Sequence, residues 1–83
     1  MIGVTKMIIR VVSAIGGGVI DVEVKPNATV SELKREISRQ KRIPASAVIV
    51  VYRGRQLDDN ETFEEVGLTD YEKVYLIART EGG

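Results

Sequence analysis

The chain has 83 residues, with twelve Lys plus Arg balancing twelve Asp plus Glu for a formal charge of zero, and 43% hydrophobic and 29% charged residues. That length holds one domain, which buries only about 60% of its unfolded surface. Cysteine, histidine and tryptophan are absent, which removes disulfides, Cys/His metal sites, thiol nucleophiles and the imidazole base, so an enzyme is not expected. No run approaches the roughly 18 consecutive apolar residues of a membrane span, and residues 1–5 lack the charged and apolar regions of a signal peptide. The expectation is a cytoplasmic protein without a membrane segment.

Residues 7–12 (MIIRVV) are β-branched and apolar, and residues 19–24 (VIDVEV) alternate apolar with polar at period two, which predicts two strands. The intervening Ser13-Ala14-Ile15-Gly16-Gly17-Gly18 predicts a hairpin turn, since glycine reaches positive φ without a Cβ penalty. A phosphate loop is the alternative for three glycines. It needs a following helix that opens on Gly-Lys-Ser/Thr, whereas a strand follows here.

Pro26-Asn27-Ala28 breaks the second strand. Thr29-Val30-Ser31-Glu32 then supplies a Thr-x-x-Glu box, whose two side chains reciprocally satisfy free amides, so a helix is expected from near Val30. Val30, Leu33 and Ile37 share one helical face, with Glu32, Lys34, Arg35, Glu36 and Arg39 on the others. Arg39, Lys41 and Arg42 complement the negative end of the helix dipole, and Pro44 stops continuation past Ile43.

Residues 48–52 (VIVVY) predict a strand, ended by Arg53-Gly54-Arg55, with Gln56-Leu57 as a short return strand and Asp58-Asp59-Asn60 as a turn. Thr62-Phe63-Glu64-Glu65 repeats the capping pattern, but Gly67 ends it after about one turn, with Phe63 and Leu68 directed inward. Residues 74–79 (VYLIAR) form the last strand, with Val74, Leu76 and Ala78 on one side and Tyr75, Ile77 and Arg79 on the other.

The predicted class is α+β: a sheet of four or five strands with one substantial helix, which covers a single sheet face. If Val50, Val74 and Leu76 point at the helix, alternation puts Ile8, Val12, Ile49, Val51, Tyr75 and Ile77 on the open face.

In their order these residues resemble ubiquitin, from about Met7 to Gly83. The resemblance rests on Val-Glu-Val before Pro26, the helix started by Thr29, Ile43-Pro44, Gly54-x-Gln56-Leu57-x-Asp59, Thr62, Leu76-Ile77-x-Arg79 and Gly82-Gly83. The hairpin loop is one residue longer than in ubiquitin. The implied fold is the ubiquitin-like β-grasp, a mixed sheet wrapped across one helix, over residues 7–79, with residues 1–6 as an N-terminal extension and residues 80–83 as a flexible tail.

The resemblance implies a protein modifier. Its C-terminal carboxylate, here Gly83, is adenylated at the expense of ATP by an activating enzyme, passed as a thioester to a conjugating enzyme and joined, with a ligase, to a target lysine; a deconjugating protease reverses the bond. No bound cofactor is implied. Gly82 and Gly83 lack Cβ atoms and thread narrow channels that larger side chains block; a frayed terminus is the alternative. Arg79 matches the arginine by which activating enzymes distinguish ubiquitin from near relatives. The partner-binding patch of ubiquitin corresponds to Val51, Tyr75 and Ile77, with Ile15, or Ala14 given the loop shift. Tyr75 stands where ubiquitin has histidine, keeping a ring and a polar tip of a kind enriched at interface hot spots. Dimerisation is the other way to cover that face, although a monomer is expected.

Several departures limit the carry-over. The two lysines most used for ubiquitin chains correspond to Arg55 and Asp70, so single attachment is expected, with Lys34 as the candidate acceptor because it matches a ubiquitin lysine. Glu81 reverses a charge before the glycines, which implies dedicated enzymes, and departure over so many positions implies an archaeal or otherwise divergent member. A sulfur carrier, loaded as a thiocarboxylate on Gly83, shares the fold and the Gly-Gly, but the stretch from Arg53 to Leu68 resembles modifiers. Residues 34–42 hold five cations and one anion and residues 58–72 hold seven anions and no cation, an asymmetry that steers docking onto charged enzymes or serves as solvated surface. Nucleic-acid binding is not expected, since the basic segment lacks interleaved aromatics.

Overall fold

The computed structural model describes residues 6–79. The first strand, β1 (Met7–Ser13), buries Met7, Ile9, Val11 and Ser13 and leaves Ile8, Arg10 and Val12 half-buried on the other face. It returns through a tight turn to β2 (Val19–Val24), in antiparallel register with Met7 opposite Val24 and Val12 opposite Val19. Gly16, Gly17 and Gly18 hold φ values of 76°, 77° and 93°, the left-handed region in which a Cβ is strained, so this turn needs three glycines. Ser13 closes it from inside: its hydroxyl donates to the Ile15 carbonyl at 2.7 Å and accepts the Ile15 N–H at 3.1 Å. Because a strand follows, the glycines form a hairpin and not a phosphate loop.

Helix α1 (Val30–Lys41) buries Val30, Leu33 and Ile37, the face read from the sequence. Thr29 caps it by accepting the Glu32 N–H at 3.3 Å. Only half of the expected capping box forms: the Glu32 carboxylate meets the nearer Thr29 hydroxyl at 3.5 Å. The helix ends at Arg42, left-handed with φ 59°, whose N–H donates to Ser38 at 2.8 Å. A 3-10 turn (Ala45–Ala47) leads into β3 (Val48–Tyr52), β4 (Arg55–Gln56), the one-turn helix α2 (Phe63–Val66) and β5 (Lys73–Ala78). Strand β4 ends one residue earlier than expected because Leu57, 1% exposed, turns into the core while its N–H still bonds Val50 at 2.9 Å.

The five strands lie in the order β2-β1-β5-β3-β4. Among the described residues only the pair β1 with β5 is parallel. Helix α1 covers one face, where Ile9, Val11, Val50, Val74 and Leu76 meet Leu33, Ile37 and Phe63. Phe63, the chain's one phenylalanine, is the largest fully buried side chain.

The two helix starts cap each other. Val30 and Ser31, at the head of α1, donate to the carbonyls of Glu61 (2.9 Å) and Asp59 (3.0 Å), which precede α2. Phe63 and Glu64, at the head of α2, donate to Ala28 (3.2 Å) and Pro26 (2.9 Å), which precede α1. With Thr62 and Glu65 forming a complete capping box on α2, the amides that a helix start leaves unpaired are satisfied across the junction. Lys34 reinforces it: its side chain is 6% exposed and its Nζ lies 2.6 Å from Asp59 Oδ1, itself 57% exposed.

Two glutamates fasten the loops. Glu61 accepts the Asp58 N–H at 2.8 Å and two contacts from the Arg55 guanidinium. Glu72 accepts the Thr69 N–H at 2.9 Å, the Tyr52 hydroxyl at 2.7 Å and an Arg53 nitrogen at 3.2 Å. The backbone bond is the largest cause that holds each carboxyl below its ordinary value of 4.5; the same Tyr52–Glu72 bond raises the Tyr52 hydroxyl.

Two outcomes follow. Asp59→Ala strands the Lys34 ammonium and costs about 1–3 kcal/mol in urea unfolding, while Lys34→Met, which replaces the buried charge by an apolar chain of similar length, costs less. Equal losses would show that the pair acts by charge attraction alone. Because Glu61 and Glu72 have lowered folded pKa values, their contribution is present above the unfolded value and lost as pH falls through the folded one. Thermal midpoints are therefore flat from neutral pH to about 5 and fall below it, less steeply in Glu72→Gln.

Candidate functional site

Strand register sets the side chains of the open sheet face in rows. Val51 on β3 lies opposite Tyr75 on β5, Tyr75 lies beside Val12 on β1, and Val12 lies opposite Val19 on β2. One apolar row thus crosses four strands. Ile49 and Ile77 face each other in a second, shorter row. Val19, Tyr75 and Ile77 are 56%, 46% and 38% exposed, and Val12, Ile49 and Val51 are half-buried. A charged row bounds the patch, with Arg10 beside Lys73 and bonded to Asp21 at 3.1 Å.

Three of the four residues expected in the patch, Val51, Tyr75 and Ile77, are brought together by this register. Ile15 is half-buried and packs against the core from the hairpin. Its alternative, Ala14, is exposed and donates its N–H to Leu76 at 2.9 Å, which holds the hairpin against β5. Val19 was missed by sequence reasoning, although its phase with Asp21 and Glu23 assigns it outward. Tyr71 was missed too: it is 57% exposed, with the Arg10 guanidinium 5.8 Å from its ring centre.

Arg79 is exposed and follows β5, with its N–H donating to Ala47 at 2.8 Å. Its side chain is left free of the sheet ladder, while the main chain is fixed beside the start of β3. Gly82 and Gly83 lie outside the described residues, as do residues 1–5 of the N-terminal extension. Lys34 sits where the folded chain does not present it: an amine that is buried and bonded to Asp59 cannot attack a thioester without first breaking the helix junction. Lys6, Lys25 and Lys73 are exposed.

The charge asymmetry along the chain is partly spent in contacts. Lys34 joins the basic segment to the acidic one through Asp59, Arg39 bonds Glu36 at 2.7 Å, and Arg55 and Arg53 reach Glu61 and Glu72. Among the described residues no group of three or more acidic side chains is gathered to hold a metal ion, and no helix is long and apolar enough to cross a membrane.

The geometry agrees with known proteins. Residues 9–81 match the profile described as the Ubiquitin family. The chain is 29% identical over 77 residues to Ubiquitin-like protein 1 of Schizosaccharomyces pombe, spanning 93% of this chain and 97% of that one. It is 35% identical over 57 residues to Ubiquilin of Dictyostelium discoideum, covering 69% of this chain but only 11% of that longer protein. Among solved structures, Caldiarchaeum subterraneum ubiquitin superposes with a TM-score of 0.84 at 41% identity, covering 95% of this chain and 100% of that one. With a five-stranded mixed sheet, one main helix and a match over nearly its whole length, the chain belongs to the ubiquitin family.

Proposed function

We propose that the chain is a protein modifier, joined through the Gly83 carboxylate to target lysines by activating and conjugating enzymes with a ligase, and released by a deconjugating protease. The carrying observation is where the sheet delivers the chain: β5, the central strand, ends at Ala78, and exposed Arg79 follows it, four residues before Gly83. A rigid strand anchored on both sides gives an activating enzyme a fixed surface, with Arg79 beside the departing tail. The reaction needs a carboxylate on Gly83, supplied by the chain's end or by trimming to that residue. ATP is consumed by the activating enzyme, and the modifier contributes no catalytic group.

The open face supplies the second half of this function. Once the tail is attached, recognition falls to the apolar row Val12–Tyr75–Val51 and its neighbour Ile77, where a tyrosine flanked by half-buried aliphatics provides the type of anchor that dominates interfaces.

Expression of a tagged chain in its host tests the reading. The intact chain gives bands of higher mass that survive denaturant and reductant, and removal of Gly82-Gly83 abolishes them; bands that persist without the glycines overturn the proposal. A thiocarboxylate on Gly83, seen by intact mass in the absence of conjugates, would make the protein a sulfur carrier. Arg79→Glu slows ATP-dependent thioester formation while leaving the melting temperature unchanged, since among the described residues Arg79 is hydrogen-bonded through its main-chain N–H to Ala47 and not through its side chain. Charging at the wild-type rate would remove Arg79 from enzyme recognition.

A further inference from the structure

Helix α1 sorts its exposed charge to two sides. Glu32, Glu36 and Gln40 look towards β2, with which they line a groove. The other side is marked by Lys34, which reaches across to Asp59 ahead of α2. Ser31, Arg35 and Ser38 follow on that side at spacings of four and three, and Arg42 stands four residues beyond, at the helix end, so the four positions form one stripe. Because α1 covers the inner face of the sheet, this stripe lies on the reverse of the molecule from the open apolar row.

The fold leaves two of its cations unused. Of the five in residues 34–42, Lys34 is held by Asp59, Arg39 by Glu36, and Lys41 lies near the Gly17 carbonyl. Arg35 and Arg42 are exposed and, among the described residues, make no ion pair and lie over no aromatic ring. Arg42 is the more telling of the two. Its backbone is left-handed at φ 59°, a helix end at which glycine is free of strain. The other non-glycine residues in that region put their side chains to use in the chain: Arg53 reaches Glu72 and the Tyr52 ring, and the Tyr71 ring takes the Arg10 guanidinium. Arg42 has only the helix dipole, whose pull on an exposed charge is screened by salt.

We propose that this side of α1 docks an acidic helix of a partner protein, whose carboxylates meet Arg35 and Arg42. The two arginines are seven residues apart, about 10.5 Å along a helix, so glutamates at the same repeat on one face of a partner helix match both. A guanidinium grips a carboxylate through two parallel N–H bonds, a geometry that lysine does not offer. Ser31 and Ser38, short and half-buried between the arginines, let the partner helix come close. Nucleic acid is the poorer occupant, because residues 31–42 hold no aromatic on which a base stacks and the chain has no net positive charge. The site does not depend on conjugation through Gly83, and its place behind the sheet leaves the open apolar row free for a second partner.

An amide NMR titration of the full chain tests the proposal. The probe is a capped helical peptide of alanine and glutamine that bears glutamates seven residues apart, against the same peptide with glutamine in their place. Shifts are expected at residues 31–42 for the glutamate peptide, and its advantage shrinks as salt rises. Arg35→Glu with Arg42→Glu weakens binding about tenfold or more. Arg42→Gly puts the residue best suited to φ 59° at the helix end; it keeps the melting temperature and still weakens binding several-fold, which separates loss of the guanidinium from loss of the fold. Equal binding of the glutamine peptide, shifts on the Val12–Tyr75–Val51 row instead, absence of shifts, tighter binding of a single-stranded oligonucleotide, or full affinity in either variant would each overturn it.

Discussion

The parallel pairing of the first and last strands is the constraint on which the remaining structure depends. Arg10 meets Lys73 and Val12 meets Tyr75 across about sixty residues of intervening chain, a closure whose entropy costs on the order of 3–4 kcal/mol beyond its constant term. In return β5 becomes the middle strand, bonded to β1 on one side and β3 on the other. That position carries both features on which the proposed function rests. It joins Val12 and Val51 through Tyr75 into one apolar row, and it brings Arg79 out at a fixed place beside Ala47.

A domain this small has little core to spare, and it compensates with polar connections placed at the junctions. The segment between β4 and β5 holds one turn of helix, yet it is tied down by mutual capping with α1, by Lys34 on Asp59 and by the Glu61 and Glu72 carboxylates. The consequence reaches chemistry. Charged residues in this segment are structural before they are recognitional, and Lys34 is withdrawn from the pool of acceptor amines. Lys41 is partly engaged as well, with its Nζ 3.3 Å from the Gly17 carbonyl, while Lys25 and Lys73 are exposed and Lys6 is exposed with its Nζ 3.9 Å from Glu23.

Local signals carried most of the fold into the sequence. The helix start at Val30, the inward face of Val30, Leu33 and Ile37, and the stop at Gly67 each follow from capping and periodicity within a few residues, and the structure reproduces them, although the helix ends at Lys41, two residues before the limit that Pro44 sets at Ile43. What the sequence hid was non-local. Lys34 and Asp59 are 25 residues apart, and no pattern on α1 distinguishes a lysine that will be buried from its solvated neighbours. Leu57 looks like a strand residue by composition but is claimed by the core. Val19 shares the outward phase of Asp21 and Glu23, but its place at the end of the apolar row depends on the non-local register with Val12. In the candidate site, alternation was enough to group Val51, Tyr75 and Ile77, whereas Ile15 sits on a turn, where period two no longer applies.

The central claim is that this domain exists to be attached through Gly83. Mass spectrometry of tryptic digests from the host reads that attachment directly. Trypsin cuts after Arg79, so a conjugated lysine retains the branch Thr-Glu-Gly-Gly, and the account predicts this branch on lysines of other proteins wherever the chain is expressed. Abundant protein with no such branch on any lysine would contradict it.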